Sequence, residues 1–131
     1  MKSDQGILLD TTVVIDALRN RNQRRPFHAS LVNGGRTLAA STITIAEVYG
    51  GIRPGEEQAA RAFLSLLDWI PVTAAIAERA GALQANLRRQ GQTRSIPDMI
   101  VAATALDAGC ALATDNRKDF QISGLTLFPM P

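Results

Sequence analysis

The sequence predicts an α/β fold: a single three-layer α/β/α domain spanning residues 1–131, with a mostly parallel central sheet covered by helices on both faces. Three observations carry this. Short apolar runs of strand length recur at Ile7-Leu8-Leu9, Thr37-Leu38-Ala39-Ala40 and Ala111-Leu112-Ala113-Thr114. Longer segments with apolar residues at helical spacing lie between them. The residues that separate the two kinds of segment are those of caps and turns: Ser41-Thr42, Gly50-Gly51, Arg53-Pro54-Gly55, Ser95-Ile96-Pro97 and Gly109.

Taken in order, the first strand ends at Asp10-Thr11-Thr12, and Val13, Val14, Ala17 and Leu18 then recur as one helical face. A polar connection containing His28 leads to the second strand. Ser41 and Thr42 are N-cap candidates for a helix with the stripe Ile45, Val48, Tyr49 and Ile52. Glu56 to Leu67 predicts a further helix, with Ala59, Ala60, Phe63, Leu66 and Leu67 turned inward, followed by a short extended piece at Trp69-Ile70-Pro71-Val72. Ala74 to Arg89 is helical, with Ile76, Ala80, Leu83 and Leu87 on one side. After the polar loop Gln90 to Arg94, Ser95-Ile96-Pro97 opens a helix with Pro at its first position, and Gly109 closes it. Ala111 to Thr114 is a strand, Asp115 to Phe120 a polar turn, and Leu125-Thr126-Leu127-Phe128 a last strand.

The chain has 131 residues, 46% of them hydrophobic and 20% charged, enough for one continuous core without covalent staples. Cys110 and His28 are the only residues of their types, which excludes a disulfide framework and a closed zinc site. No apolar run approaches the roughly 18 residues of a membrane-spanning helix, and Met1 to Gly6 is polar, so a cytoplasmic protein without a membrane partner is expected. The net charge of +2 does not by itself argue for nucleic acid. Its distribution says more: twelve of the fourteen cations are Arg, and two loop-like clusters, Arg19/Arg21/Arg24/Arg25 and Arg88/Arg89/Arg94, carry planar forks suited to phosphate.

The acids fall where strands end and helices begin. Asp10 follows the first strand, Asp98 lies in the first turn of its helix, on a stripe with Val101, Ala102 and Ala105, and Asp115, Asn116 and Asp119 follow the fourth strand. Glu47 sits early after the second strand, on a face with Ile43, Ala46 and Gly50. In open parallel sheets the functional crevice lies beyond the carboxyl ends of the strands, so these acids are delivered to one side. Each like-charged pair at ~4 Å would cost about 4 kcal/mol at an effective dielectric of 20, so a converged set must take up protons or a cation. All-oxygen ligands favour Mg²⁺, with Mn²⁺ the other choice. Such an ion can activate water and offset charge on a phosphate oxygen. Plainer roles also exist, since Asp10 could cap a helix and Asp98 could serve a helix dipole. Asp16, Glu56, Glu57, Asp68, Glu78 and Asp107 read as surface charges, His28 as a surface residue and Cys110 as a small core residue.

The segments Leu8–Asp16, Ser41–Gly51, Ile96–Ala105 and Ala113–Phe120 together resemble the PIN-domain ribonucleases, and within them the VapC-type toxins of toxin–antitoxin pairs. The likeness spans nearly the whole chain. It implies that Asp10, Glu47 and Asp98 form the acidic site, with Asp10 and Asp98 as direct Mg²⁺ ligands, Glu47 orienting water or a second ion, and Thr12 supporting the first acid. The family's last motif maps to Asn116 and Asp119, leaving Asp115 off register, and so implies Asp119 as the fourth acid with Asn116 as a polar helper. The implied reaction is endonucleolytic hydrolysis of RNA by an activated water, without a covalent enzyme intermediate. The implied partners are a cognate VapB-like antitoxin and a second copy of the chain, with exposed apolar positions between Gly51 and Leu67 available to either.

Rival readings fail on particular residues. A haloacid-dehalogenase-type phosphatase needs a second acid at the place held by Thr12, a receiver domain needs paired acids before its first helix, and no Gly-rich loop ending in Lys-Ser/Thr is present. The alternative from another class is a catalytically silent PIN-like module that binds RNA or protein through its Arg surface. The intact set of Asp10, Glu47 and Asp98 argues against it.

Overall fold

The computed structural model describes residues 5–131; the polar start, Met1 to Asp4, lies outside them. Four strands, β1 (Ile7–Leu9), β2 (Leu38–Ser41), β3 (Asp68–Ile70) and β4 (Ala111–Ala113), form a wholly parallel sheet in the order β3-β2-β1-β4. Six helices surround it: α1 (Thr11–Leu18), α2 (Arg24–Asn33), α3 (Thr42–Gly50), α4 (Glu57–Leu64), α5 (Ala74–Arg89) and α6 (Ile96–Ala108). The registers place Ile7 beside both Leu38 and Ala111, so β1 and its two neighbours start level.

Strand side chains alternate between faces, and the core divides accordingly. Ile7, Leu9, Leu38, Ala40 and Ala113 pack with Val13, Val14, Leu31, Val48, Ala60 and Leu64, from the helices of one layer. Leu8, Ala39 and Leu112 point the other way, onto Val101, Ala102 and Ala105 of α6 and onto Phe120. Helix α5 covers the outer side of α6 through Ile76, Ala80, Met99 and Ala103. Burial of α6 on two sides explains its apolar run from Met99 to Ala105.

Several expectations are corrected. The polar connection after Arg19 contains α2, whose sequence RRPFHASLVN is polar on most of its surface and buries only Arg24 and Leu31. The expected last strand, Leu125–Phe128, is reduced to one parallel bridge between Leu127 and Leu112. Helix α3 stops at Gly50 and α4 at Leu64, each short of its apolar stripe, and β3 begins one residue before Trp69. Helix α6 begins at Ile96, so Pro97 is its second residue and Asp98 its third, with the Ser95 hydroxyl accepting from the Asp98 N–H at 3.2 Å.

Asp16, expected at the surface, is only 5% exposed. It accepts from Asn22 at 2.8 Å and pairs with Arg21 at 3.4 Å, pinning a bend in which Asn20, Asn22 and Gln23 all have positive φ. His28 is half-buried on α2 with its ring 4.8 Å from that of Phe63, and Cys110 is half-buried at the start of β4.

Gly109 ends α6 at φ 69°, and the Cys110 N–H returns to the Ala105 carbonyl at 2.9 Å. No atom lies within 4 Å of a Cβ placed there, so only backbone strain opposes a side chain. Gly109→Ala is therefore expected to lose about 1 kcal/mol of stability in urea unfolding, with the slope unchanged.

Candidate active site

The chain leaves β1 for β2 on one side, while β4 flanks β1 on the other, which makes the crevice at their carboxyl ends the topological switch point. Asp10 stands there. It is the N-cap of α1 and only 7% exposed, and it accepts from the Thr11 N–H and the Thr114 hydroxyl, both at 2.8 Å. The two strands thus hold one carboxylate between them: Asp10 from β1, Thr114 from β4.

Helix α3 brings in Glu47. The Thr11 hydroxyl donates to Glu47 Oε1 at 2.6 Å and lies 3.0 Å from the Thr44 hydroxyl. Thr11 has one hydroxyl proton and gives it to Glu47, so Thr44 donates to Thr11. Thr12, which the resemblance placed in support of Asp10, is exposed and makes no such bond; Thr11 and Thr114 fill that role. Either was findable as a hydroxyl within two residues of a strand end.

Asp98, in the first turn of α6, and Asp119, in the 3-10 turn Arg117–Phe120, complete the group. Asn116 donates to Asp119 Oδ2 at 2.6 Å while its own N–H donates to the Thr114 hydroxyl at 3.0 Å. Asp115 faces elsewhere, paired with the buried guanidinium of Arg24 on α2. This pairing accounts for its being off register.

The acids feel one another. Burial is the largest influence on Asp10 and pushes its carboxyl above the ordinary value; the Thr114 and Thr11 bonds pull it back, and Asp98 and Glu47 add to the rise. Asp98 is also pushed up, first by burial, with Asp119 adding to the rise and Ser95 and Arg94 opposing it. No Arg or Lys among the described residues pairs with Asp10, Glu47 or Asp98.

Among the described residues, no three His, Cys, Asp or Glu side chains form a ready-made metal cage. The donors are nonetheless all oxygen, and the buried Asp10 carboxylate has no counter-charge among the described residues. Mg²⁺ commonly takes one or two carboxylates and keeps several waters, so a pair such as Asp10 and Asp98 fits a partly hydrated hard cation.

The Arg clusters divide differently from expectation. Arg19 holds Glu56 at 3.2 Å and the Gly51 carbonyl at 3.0 Å, Arg24 is buried on Asp115, and Arg25 caps the Ala17 and Leu18 carbonyls of α1. These side chains tie the fold together. Arg88 and Arg89 remain exposed at the end of α5. His28 and Arg25 line an apolar groove of about 390 Å³ with Ala17, Leu18, Phe63 and Leu66, on the layer of α1, α2 and α4.

A wholly parallel four-stranded sheet with acids gathered at its switch point defines the class. The chain belongs to the PIN domain family, whose sequence profile matches residues 7–122. Within that family it is 34% identical to Ribonuclease VapC19 of Mycobacterium tuberculosis over 113 residues, covering 86% of this chain and 90% of the relative. It is 28% identical to the tRNA(fMet)-specific endonuclease VapC of Shigella flexneri, over 89% of this chain and 91% of the relative. Among solved structures, VapBC2 from Rickettsia felis bound to a promoter DNA fragment matches with a TM-score of 0.81 and 26% identity, covering 93% of this chain and 96% of that one. A toxin–antitoxin complex from Klebsiella pneumoniae matches with a TM-score of 0.75 and 32% identity, covering 92% and 96%.

In metal-free protein, Asp10→Asn is expected to raise stability at neutral pH by on the order of 1 kcal/mol. The upward shift means that the folded chain holds a proton more tightly than the unfolded chain. Ionised Asp10 therefore destabilises the fold at neutral pH, and this effect fades as pH falls through the folded-state pKa toward the ordinary carboxylate value. Urea unfolding in chelator at pH 7 and pH 4 checks this, the variant's advantage shrinking at the lower pH. Asp115→Asn strips a buried guanidinium of its counter-charge and is expected to cost about 2 kcal/mol, between the values for exposed and buried pairs, with nuclease activity within a few-fold of the parent.

Proposed function

We propose that this chain is a Mg²⁺-dependent endoribonuclease, the toxin member of a VapBC-type pair, which hydrolyses RNA phosphodiesters at the acidic crevice. The observation that carries the reading is the buried Asp10 carboxylate, without a cationic partner among the described residues and within the field of Asp98 and Glu47. A divalent cation bound there would supply an activated water and offset the negative charge that grows on the phosphate oxygens; Mn²⁺ is expected to replace Mg²⁺.

Asp10 and Asp98 would hold the cation. The Thr11 N–H and the Thr114 hydroxyl fix the orientation of Asp10, leaving its remaining lone pairs toward the crevice. Glu47 has one oxygen engaged by Thr11; its second can accept a proton from the attacking water. Asp119, held by Asn116, adds negative charge beside Asp98 and suits it to the same water network.

Neither the Cys nor the His of the chain stands at the crevice. Cys110 Sγ would lie 3.3 Å from a Cβ on Gly6, at the amino ends of β1 and β4 and so at the far end of the sheet from Asp10; burial also pushes its thiol up. His28 packs on Phe63 in the layer of α2 and α4. The proposed reaction is direct in-line attack by water at phosphorus, without a covalent enzyme intermediate and so with inversion there.

A VapB-like antitoxin and a second copy of the chain are the proposed protein partners. Supporting them, Leu66 and Trp69 expose 70% and 52% of their surfaces beside the open edge strand β3, and the similar structures include toxin–antitoxin complexes. No helix among the described residues is long and apolar enough to cross a membrane, and a cytoplasmic location is proposed with the RNA substrate.

Purified protein incubated with structured RNAs is expected to cut in Mg²⁺ or Mn²⁺ and to stop in chelator. Asp10→Asn and Asp98→Asn are each expected to slow cleavage by at least about 100-fold, the scale of several kcal/mol of transition-state stabilisation. Cleavage that survives chelator and both substitutions would refute the mechanism. RNA retention without cutting would identify a silent binding module instead.

A further inference from the structure

Arg94 belongs by sequence to a phosphate-suited cluster, and the structure uses it otherwise. Its side chain is 16% exposed, and each of its three nitrogens already donates one hydrogen bond within the protein. Nε donates to the Asp119 carbonyl at 3.1 Å, Nη1 to the Thr93 carbonyl at 3.0 Å and Nη2 to Gln92 Oε1 at 3.2 Å. Nε also lies 3.7 Å from Asp119 Oδ1. Gln84 of α5 seats the residue from behind by donating to the Arg94 carbonyl at 2.9 Å.

Asp119 is thus held from two sides. Asn116 occupies Oδ2, while Arg94 fixes the main chain and stands against Oδ1. The 3-10 turn has no side-chain cap of its own, so little else in that turn determines where this carboxylate points. A guanidinium is well matched to this place, because its rigid fork reaches a carbonyl, a carboxylate edge and its own loop at once, which an ammonium cannot do.

We propose that Arg94 is a positioning residue for the RNA-cleavage reaction: it clamps the α5–α6 loop to the turn carrying Asp119 and so fixes that carboxylate beside Asp98. The proposal rests on the reading of the crevice as a ribonuclease site. It differs from a phosphate-binding role, in which Arg94 would touch substrate and its loss would raise KM. A group acting through another acid instead lowers kcat and matters only while that acid is present.

The test is a double-mutant cycle on RNA cleavage with Arg94→Ala, Asp119→Ala and the pair, with Arg94→Lys and Gln84→Ala alongside. Arg94→Ala is expected to lower kcat about 10- to 100-fold with KM within about twofold, the usual scale for residues that orient a metal-site group. In the Asp119→Ala background it is expected to remove less than about threefold more. Arg94→Lys keeps the charge but not the fork and recovers only part of the loss; Gln84→Ala gives a smaller loss of the same kind and serves if Arg94→Ala fails to fold. Equal losses in both backgrounds, or a rise in KM at constant kcat, overturn the proposal. A wild-type protein that cuts no RNA refutes the ribonuclease reading, and the clamp is then judged on metal-free protein by carbon NMR. There Arg94→Ala is expected to shift the Asp119 side-chain carboxyl resonance and leave that of Glu47 in place; an unmoved Asp119 resonance overturns it.

Discussion

The site depends on a carboxylate kept in a place where the fold alone would rather have none. Asp10 lies between two parallel strands and the start of a helix, nearly closed off from water and facing other acids. The groups around it are neutral: a main-chain N–H and the Thr114 hydroxyl, with the Thr11 and Thr44 hydroxyls passing a hydrogen bond on to Glu47. Neutral donors fix the geometry of an anion without cancelling its charge, whereas an Arg in the same position would occupy the space a cation needs. Arginine is kept one step back, at Asp115 and Asp119.

The sheet exists largely to set that geometry. Its strands are three or four residues long, and each of the inner ones alternates its side chains between two helical layers. A slip of one residue in β1 would exchange Ile7 and Leu9 with Leu8 and carry Asp10 out of the crevice, so core packing and site register are the same constraint. The layer of α1 to α4 supplies Glu47, and the α5–α6 layer supplies Asp98 and the loop that meets Asp119.

Much of this was legible in the residues. Asp10 and Asp98 stand at element boundaries with strong local signals, an apolar strand before one and a Ser-x-Pro helix start before the other. Glu47 was harder, because a solvated acid on α3 has the same neighbours in sequence; the bond from Thr11, 36 residues away, distinguishes it. Helix α2 was not legible, because its only buried side chains are Arg24 and Leu31 and it leaves no apolar stripe. Asp16 escapes a sequence reading for a related reason, since its partners are Arg21 and Asn22 in a bend of unusual backbone rather than in an element. Leu125–Phe128 has strand composition, but its ladder with β4 is a single bridge, in which Thr126 and Phe128 both bond to the main chain of Leu112. Pairwise burial of polar groups has no period, and period is what a sequence shows most readily.

The bond between Thr114 and Asp10 spans 104 positions of a 131-residue chain. A polypeptide emerging from the ribosome exposes Asp10 and Glu47 well before β4 and the turn beyond it have been made. For a protein of the proposed activity the order matters, because the nearest RNA during translation belongs to the machinery making it. Placing the completing strand about 100 residues after the first one in sequence, yet directly against it in space, keeps the crevice from assembling until that strand has been made.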